Sequence, residues 1–391
     1  MTTVQRLHGP PGRGVAREAP ARQIGPVKAP TVKKLLAGIV VGLVGALVGA
    51  AVARLAMGQA PRGEHLPAAQ KIARVILGGF GIWFALAVHE AGHLAGGLSQ
   101  GFRFVFLAAG PMWLERGESG IALRFNRTLA TWGGMAAAMP QDDRDLRRRF
   151  TVMVAGGPAA SLLLALAGWA AWAVLPLGLA RFLAGVTAIA STGFFVATAQ
   201  PFGAGGGFAS DGGRLLRLWR KGPVGEREVA MLALTAAAAG GARPREWTPA
   251  IVQAALLPAD GSVMELVAHV YASSRASDAG DPAMAASHLD RAVDLARDMS
   301  PMLRSLVAAE AAWLRASRGD VEGARPFLAE ADGPFVERHA LHRARAAVLR
   351  AEGDLAGARA EAEAGLAALG KTRFGKASAR DRELLEGLRA G

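Results

Sequence analysis

The segment from Val75 to Leu98 carries ionisable side chains at only three positions, His89, Glu90 and His93. In hydrocarbon no water is at hand for backbone N–H and C=O groups, so an apolar run of this length fits one conformation, a membrane-spanning helix. Ionisable groups at that depth are costly and mark function. His89-Glu90-Ala91-Gly92-His93 is an HExxH pentad, and on a helix its two imidazoles lie one turn apart on the same face. They can grip one Zn²⁺, with Glu90 placed between them to take a proton from water. The bare pattern arises by chance in many helices; its place inside an uncharged run is what gives it weight.

Composition narrows the reading further. Of 391 residues 51% are hydrophobic, and they concentrate between residues 35 and 210. The 50 glycines suit close helix packing in lipid, where apolar burial no longer drives association. There is no cysteine, which excludes disulfides and leaves His, Asp and Glu as the zinc ligands. A net charge of +13 would suit a nucleic-acid partner. Yet Lys and Arg gather at the ends of apolar runs, as at Lys33-Lys34 and Arg147-Arg148-Arg149, the pattern of topology determinants. No nucleic-acid partner is expected.

The organisation follows from these runs. Residues 1–34, rich in Pro, Gly and Arg, read as a disordered, basic cytoplasmic tail. Spans are expected at about 35–53, 72–98, 150–177 and 182–202, within a membrane domain covering 35–220. A signal peptide is the rival reading of the first span, but its charged leader would be unusually long. Residues 102–107 and 120–125 look like short strands around a turn, and the uncharged segment 128–141 is expected to re-enter the membrane or lie on it. From 221 to 391, Glu, Asp and Arg interleave with Ala and Leu at helical spacing. Gly280-Asp281, Gly319-Asp320 and Gly353-Asp354 form a weak repeat, each with an alanine four residues after the Asp. This predicts a tetratricopeptide-like or more generic array of helical hairpins. The fold class expected is mainly α: a polytopic membrane protein of about four spans with a short β-hairpin region, followed by a soluble helical domain. Counting positive charges puts both termini on the cytoplasmic side of a cell membrane, a bacterial one by the Ala-, Gly- and Arg-rich composition.

A catalytic zinc takes three protein ligands and an open position. His89 and His93 supply two, and no Asp or Glu occurs between Asp145 and Asp211. Asp211, just after the last span, is the preferred third ligand; a helix N-cap is its bland alternative. Asp142, Asp143 and Asp145 compete, but beside an arginine run they read as a solvated cluster. His89 to His93 with Leu94-Ala95-Gly96, Ala155 to Ser161 and Ser210-Asp211-Gly212-Gly213 together resemble the three motifs of the site-2 protease family of intramembrane zinc metalloproteases. The resemblance covers roughly residues 72–220, with Ser161 standing where an Asn is common. It implies an endopeptidase that cuts membrane-anchored proteins in or near their transmembrane segments. Glu90 would be the catalytic base, His89, His93 and Asp211 the zinc ligands, and Gly157, Pro158 and Ser161 a substrate-binding segment.

Substrate backbone freed from its helix could pair with an edge strand near 102–107. The helical domain would serve a cytoplasmic protein partner. A zinc transporter and a catalytically inactive membrane scaffold are the alternatives from other classes. Gly157-Pro158 has a structural reading as a helix kink, His339 and His342 as an exposed helix face, and the tryptophans as packing or interface residues.

Overall fold

A computed structural model describes residues 67–117, 120–127, 129–201, 209–220, 222–333, 336–372 and 378–390. The expected tail (1–34) and first span (35–53) lie outside the described residues. Among the described residues the chain is mainly helical, with thirteen α-helices and one four-stranded sheet.

Three helices are long and apolar enough to cross a membrane: α1 (Ala68–Ser99), α2 (Leu146–Val174) and α3 (Leu179–Ala199). Their ends differ by a few residues from the apolar runs, for local reasons. α2 starts four residues before its expected Phe150, because Arg147 in its first turn finds partners: Nη1 donates to the Leu218 carbonyl and Nη2 to Glu226, both at 2.7 Å. It stops at Leu175, which turns extended ahead of Pro176, and α3 stops where Gln200 does the same ahead of Pro201. The outward residues Ile72, Val75, Ile76, Leu163 and Leu166 are well exposed, a surface suited to lipid rather than water.

Small residues set how the three helices meet. A β-carbon on Gly96 would stand 2.7 Å from the Val152 carbonyl oxygen, one on Gly81 3.2 Å from Val186, and one on Gly168 2.9 Å from Ala188. Each pair among α1, α2 and α3 thus has a glycine against which the neighbouring helix packs closely.

Between α1 and α2 the chain builds an antiparallel sheet in the order β3-β2-β1-β4, from β1 (Arg103–Ala109), β2 (Met112–Gly117), β3 (Gly120–Phe125) and β4 (Met135–Met139). Two expectations are corrected here. Residues 128–141 contain a strand, because pairing of Met135–Met139 with β1 overrides the weak strand propensity of an alanine-rich segment. And residues 102–107 are not an edge: β1 is hydrogen-bonded on one side by β2 and on the other by β4, leaving β3 and β4 as the outer strands. β1 is central because its Phe104–Ala109 run is buried, packed with Leu94 of α1 and Phe150 and Met153 of α2.

Beyond α4 (Asp211–Arg220), α5 (Pro223–Ala239) and α6 (Pro249–Leu256), three helical hairpins follow: α7 (Val263–Asp278) with α8 (Pro282–Ala296), α9 (Pro301–Ala316) with α10 (Val321–Glu330), and α11 (Arg338–Ala351) with α12 (Leu355–Ala368). The Gly-Asp repeat is the turn of each. Gly280, Gly319 and Gly353 adopt φ of 81°, 79° and 89°, which ends one helix. Asp281, Asp320 and Asp354 then cap the next helix by accepting a backbone N–H three residues on. The alanines four residues after each Asp, Ala285, Ala324 and Ala358, are fully buried between helices.

A last helix, α13 (Ala379–Ala390), packs on α11 and α12. It corrects the reading of two histidines: His339 is buried 3.9 Å from Asp381 of α13, and His342 Nδ1 lies 2.7 Å from Glu361 of α12. Their acidic partners are distant in sequence, which is why local spacing suggested an exposed face.

In the first hairpin, His269 Nδ1 and His288 Nδ1 lie 3.0 Å apart. Burial, and then the neighbouring His288, push the pKa of His269 from 6.5 down to about 4. The unfolded chain therefore binds the extra proton first, so the stabilisation is full above about pH 6.5 and lost as pH falls toward 4. We expect the thermal midpoint of the intact protein to drop over that window, and His269→Gln to flatten the drop when melts are recorded from pH 7 to pH 4.

Candidate metal centre

The pentad lies in α1 about 15 Å of helix rise before its C-terminus, counted from His89 to Ser99. His89 and His93 stand one turn apart and face α2 and the start of α4. The His89 Nε2–His93 Nε2 distance is 3.3 Å, and Asp211 Oδ2 lies 3.3 Å from the first and 3.4 Å from the second. As hydrogen bonds these are long. As the edges of a coordination polyhedron they fit: ligands at about 2.0–2.1 Å from a tetrahedral zinc lie about 3.3–3.4 Å from one another. Two nitrogens and a carboxylate oxygen could hold a metal ion here, and the donor set matches a three-ligand zinc site with one position open.

The other face of each imidazole is anchored. His93 Nδ1 donates to the Met153 carbonyl at 3.1 Å, which fixes the tautomer and leaves the Nε2 lone pair facing His89 and Asp211. His89 Nδ1 lies 2.9 Å from the Ser161 hydroxyl, and Ser161 is fully buried.

Close approach of α1 and α2 makes these contacts reachable. A β-carbon on Gly92 would overlap the Gly156 carbonyl, and one on Gly156 would overlap the Gly92 carbonyl. A β-carbon on Gly157 would run into the His93 ring. The segment expected to hold substrate is therefore in direct contact with the histidines: Gly157 makes room for one ring, and Ser161 spends its hydroxyl on the other.

Asp211 is the first residue of α4, but it does not cap that helix. Ser210 does, its hydroxyl accepting from the Gly213 N–H at 3.1 Å and donating to the Gln200 carbonyl. The Asp211 carboxylate is thereby left for the histidines. Gly212 lets α4 press against the end of α3, since a β-carbon there would overlap the Ala199 carbonyl. Asp142 is elsewhere, paired with Arg144 at 3.1 Å and Arg149 at 2.5 Å.

Glu90 is buried beside the histidines, and its carboxylate rests against Gly134, the residue before β4. Gly134 has φ of 100° and a β-carbon on it would overlap Glu90 Oε1, so glycine is required twice over. Sequence reasoning overlooked Gly134 and Met153. Both act through backbone, and the only signal was a glycine pair, Gly133-Gly134, in an otherwise uncharged segment.

Gly156→Leu should force the helices apart and abolish metal retention, whereas Ser161→Ala should keep the fold and weaken metal affinity by about tenfold or more. Metal content of the purified protein across a chelator titration checks both.

Comparison with protein-family models, curated proteins and solved structures finds no match to this chain, so what the site can do is argued from its own residues.

Proposed function

We propose that the protein is an intramembrane zinc metalloendopeptidase that hydrolyses peptide bonds in or near the transmembrane segments of membrane-anchored proteins, as the motif resemblance to site-2 proteases implies. The observation that carries the reading is the His89–His93–Asp211 triangle, with edges of 3.3–3.4 Å, whose two histidines lie on a helix long and apolar enough to cross a membrane. Glu90, on the same helical turn, has no basic side chain paired with it among the described contacts and stands beside the two ligands.

In this reading His89, His93 and Asp211 hold Zn²⁺, and Glu90 acts as general base, taking the proton of the attacking water and passing it to the leaving amine. Bound zinc would polarise the scissile carbonyl and ease ionisation of water. Ser161 and the Met153 carbonyl keep the imidazoles oriented throughout. A transmembrane helix shields its peptide bonds with its own hydrogen bonds, so substrate must unwind before cleavage. The outer edge of β4 begins beside Glu90, and an unwound segment pairing there would regain its backbone bonds next to the base. The lipid bilayer is the working environment, with the hairpin array and both termini on the cytoplasmic side, where the array meets a protein partner.

Glu90→Gln should retain zinc and lose cleavage by about 10²-fold or more, while His93→Ala and Asp211→Ala should lose the metal itself. Metal analysis, together with comparative proteomics of cells carrying wild type or Glu90→Gln, reads both. Accumulation of single-span proteins in the Glu90→Gln cells is expected. Undiminished cleavage by that variant would refute the assignment of the base.

A further inference from the structure

A cavity of about 240 Å³ opens between α5, α7, α11 and α13, and Met139, the last residue of β4, forms part of its wall. That volume is several times the ~30 Å³ that one water takes up. Three of the lining side chains are more than nine-tenths buried: Trp247 (6% exposed), His339 (8%) and Arg343 (1%). Each has a nitrogen with no hydrogen-bond partner: Trp247 Nε1, His339 Nδ1 and Arg343 Nε. Buried polar atoms are almost always paired, so three orphans around one cavity point to a group that supplies them.

The chemistry of those atoms says which group. The indole and guanidinium nitrogens can only donate. The guanidinium charge is already met, because Nη1 donates to Asp381 at 3.3 Å and Nη2 to Glu310. Its Nε–H is what remains. Burial holds the pKa of His339 below its ordinary value, so at neutral pH the ring carries a single proton. Its Nε2 lies 3.9 Å from the Asp381 carboxylate, which keeps that proton on Nε2 and leaves Nδ1 an acceptor.

The unfilled set is therefore two donors and one acceptor. A cation brings no acceptor for the two N–H groups. A carboxylate brings no donor for the imidazole, and it would meet the carboxylates of Glu310 and Asp381 on the same wall. An apolar group answers none of the three. An amide answers all of them: its oxygen has two lone pairs, its nitrogen carries a proton, and it has no net charge.

We propose that this cavity binds a neutral amide of a protein partner, an asparagine or glutamine side chain or a backbone peptide unit. The carbonyl oxygen accepts from Trp247 and Arg343, and the amide N–H donates to His339. The assignment uses no property of the metal centre and holds whether or not the protein is a peptidase.

The test uses the full-length protein in lipid nanodiscs at pH 7 with four probes of similar size. Butyramide stands for the side-chain amide, N-methylpropionamide for the peptide unit, butyrate for an anion and butylammonium for a cation. Ligand-observed NMR titration should show at least one amide binding tenfold or more tightly than either ion, and the tighter amide identifies the source. Trp247→Phe removes one donor and His339→Phe the acceptor. Each should weaken that amide about fivefold, the loss of one hydrogen bond. The two substitutions lie in different parts of the chain, so misfolding of one leaves the other as the check. A preference for either ion, or amide binding untouched by the substitutions, would overturn the proposal. Equal affinity for all four probes would overturn it too, leaving a cavity that holds water only.

Discussion

The backbones of α1 and α2 touch at Gly92 and Gly156, and the candidate metal centre depends on nothing larger than hydrogen standing there. In lipid, apolar side chains gain nothing by leaving water, so helices are held by close backbone packing instead. That one crossing carries several consequences. It brings the Met153 carbonyl to His93 and the Ser161 hydroxyl to His89, and it leaves Gly157 beside an imidazole ring. Two of the three candidate ligands are then fixed by rigid helices rather than loops, the arrangement in which geometry is best held. The third, Asp211, is delivered by another close contact, Gly212 against the end of α3.

The sheet is tied to the same centre. Trp83 of α1 donates to the Ala109 carbonyl at the end of β1, and Gly134 seats β4 against Glu90. The residue that leads into β4 and the Glu90 carboxylate thus lie side by side, although 44 positions separate residues 90 and 134 in the chain. On its other side β4 reaches α5 and the start of the helical region, so one short alanine-rich strand links the long apolar helices to that region.

The parts of this arrangement that sequence could reveal are those encoded by side chains at fixed local spacing. The pentad, the charge-poor runs of α1, α2 and α3, and the Gly-Asp turns all have such signatures. Asp211 was reachable because so few acids lie near the runs. β4 was missed because Met135 to Met139 has neither β-branched nor aromatic residues, and only its pairing with β1 makes it a strand. Gly134 and Met153 contribute backbone, which leaves no residue-type signal. His339 and His342 were misread because their partners, Asp381 and Glu361, come from other helices. Ser161 was recognised as belonging to the site, but its contact with His89 depends on how two helices cross, which no linear spacing records.

The Gly-Asp turns carry one more implication. Each places a helix stop and a helix start on adjacent residues, and a buried alanine four positions on seats the new helix. Every hairpin therefore contains its own punctuation and borrows none from its neighbours. A gene encoding such an array can lengthen or shorten it by whole hairpins through duplication or deletion, with no compensating change in the three long apolar helices. The reach of the hairpin region is thus free to evolve separately from the candidate metal centre at His89 and His93.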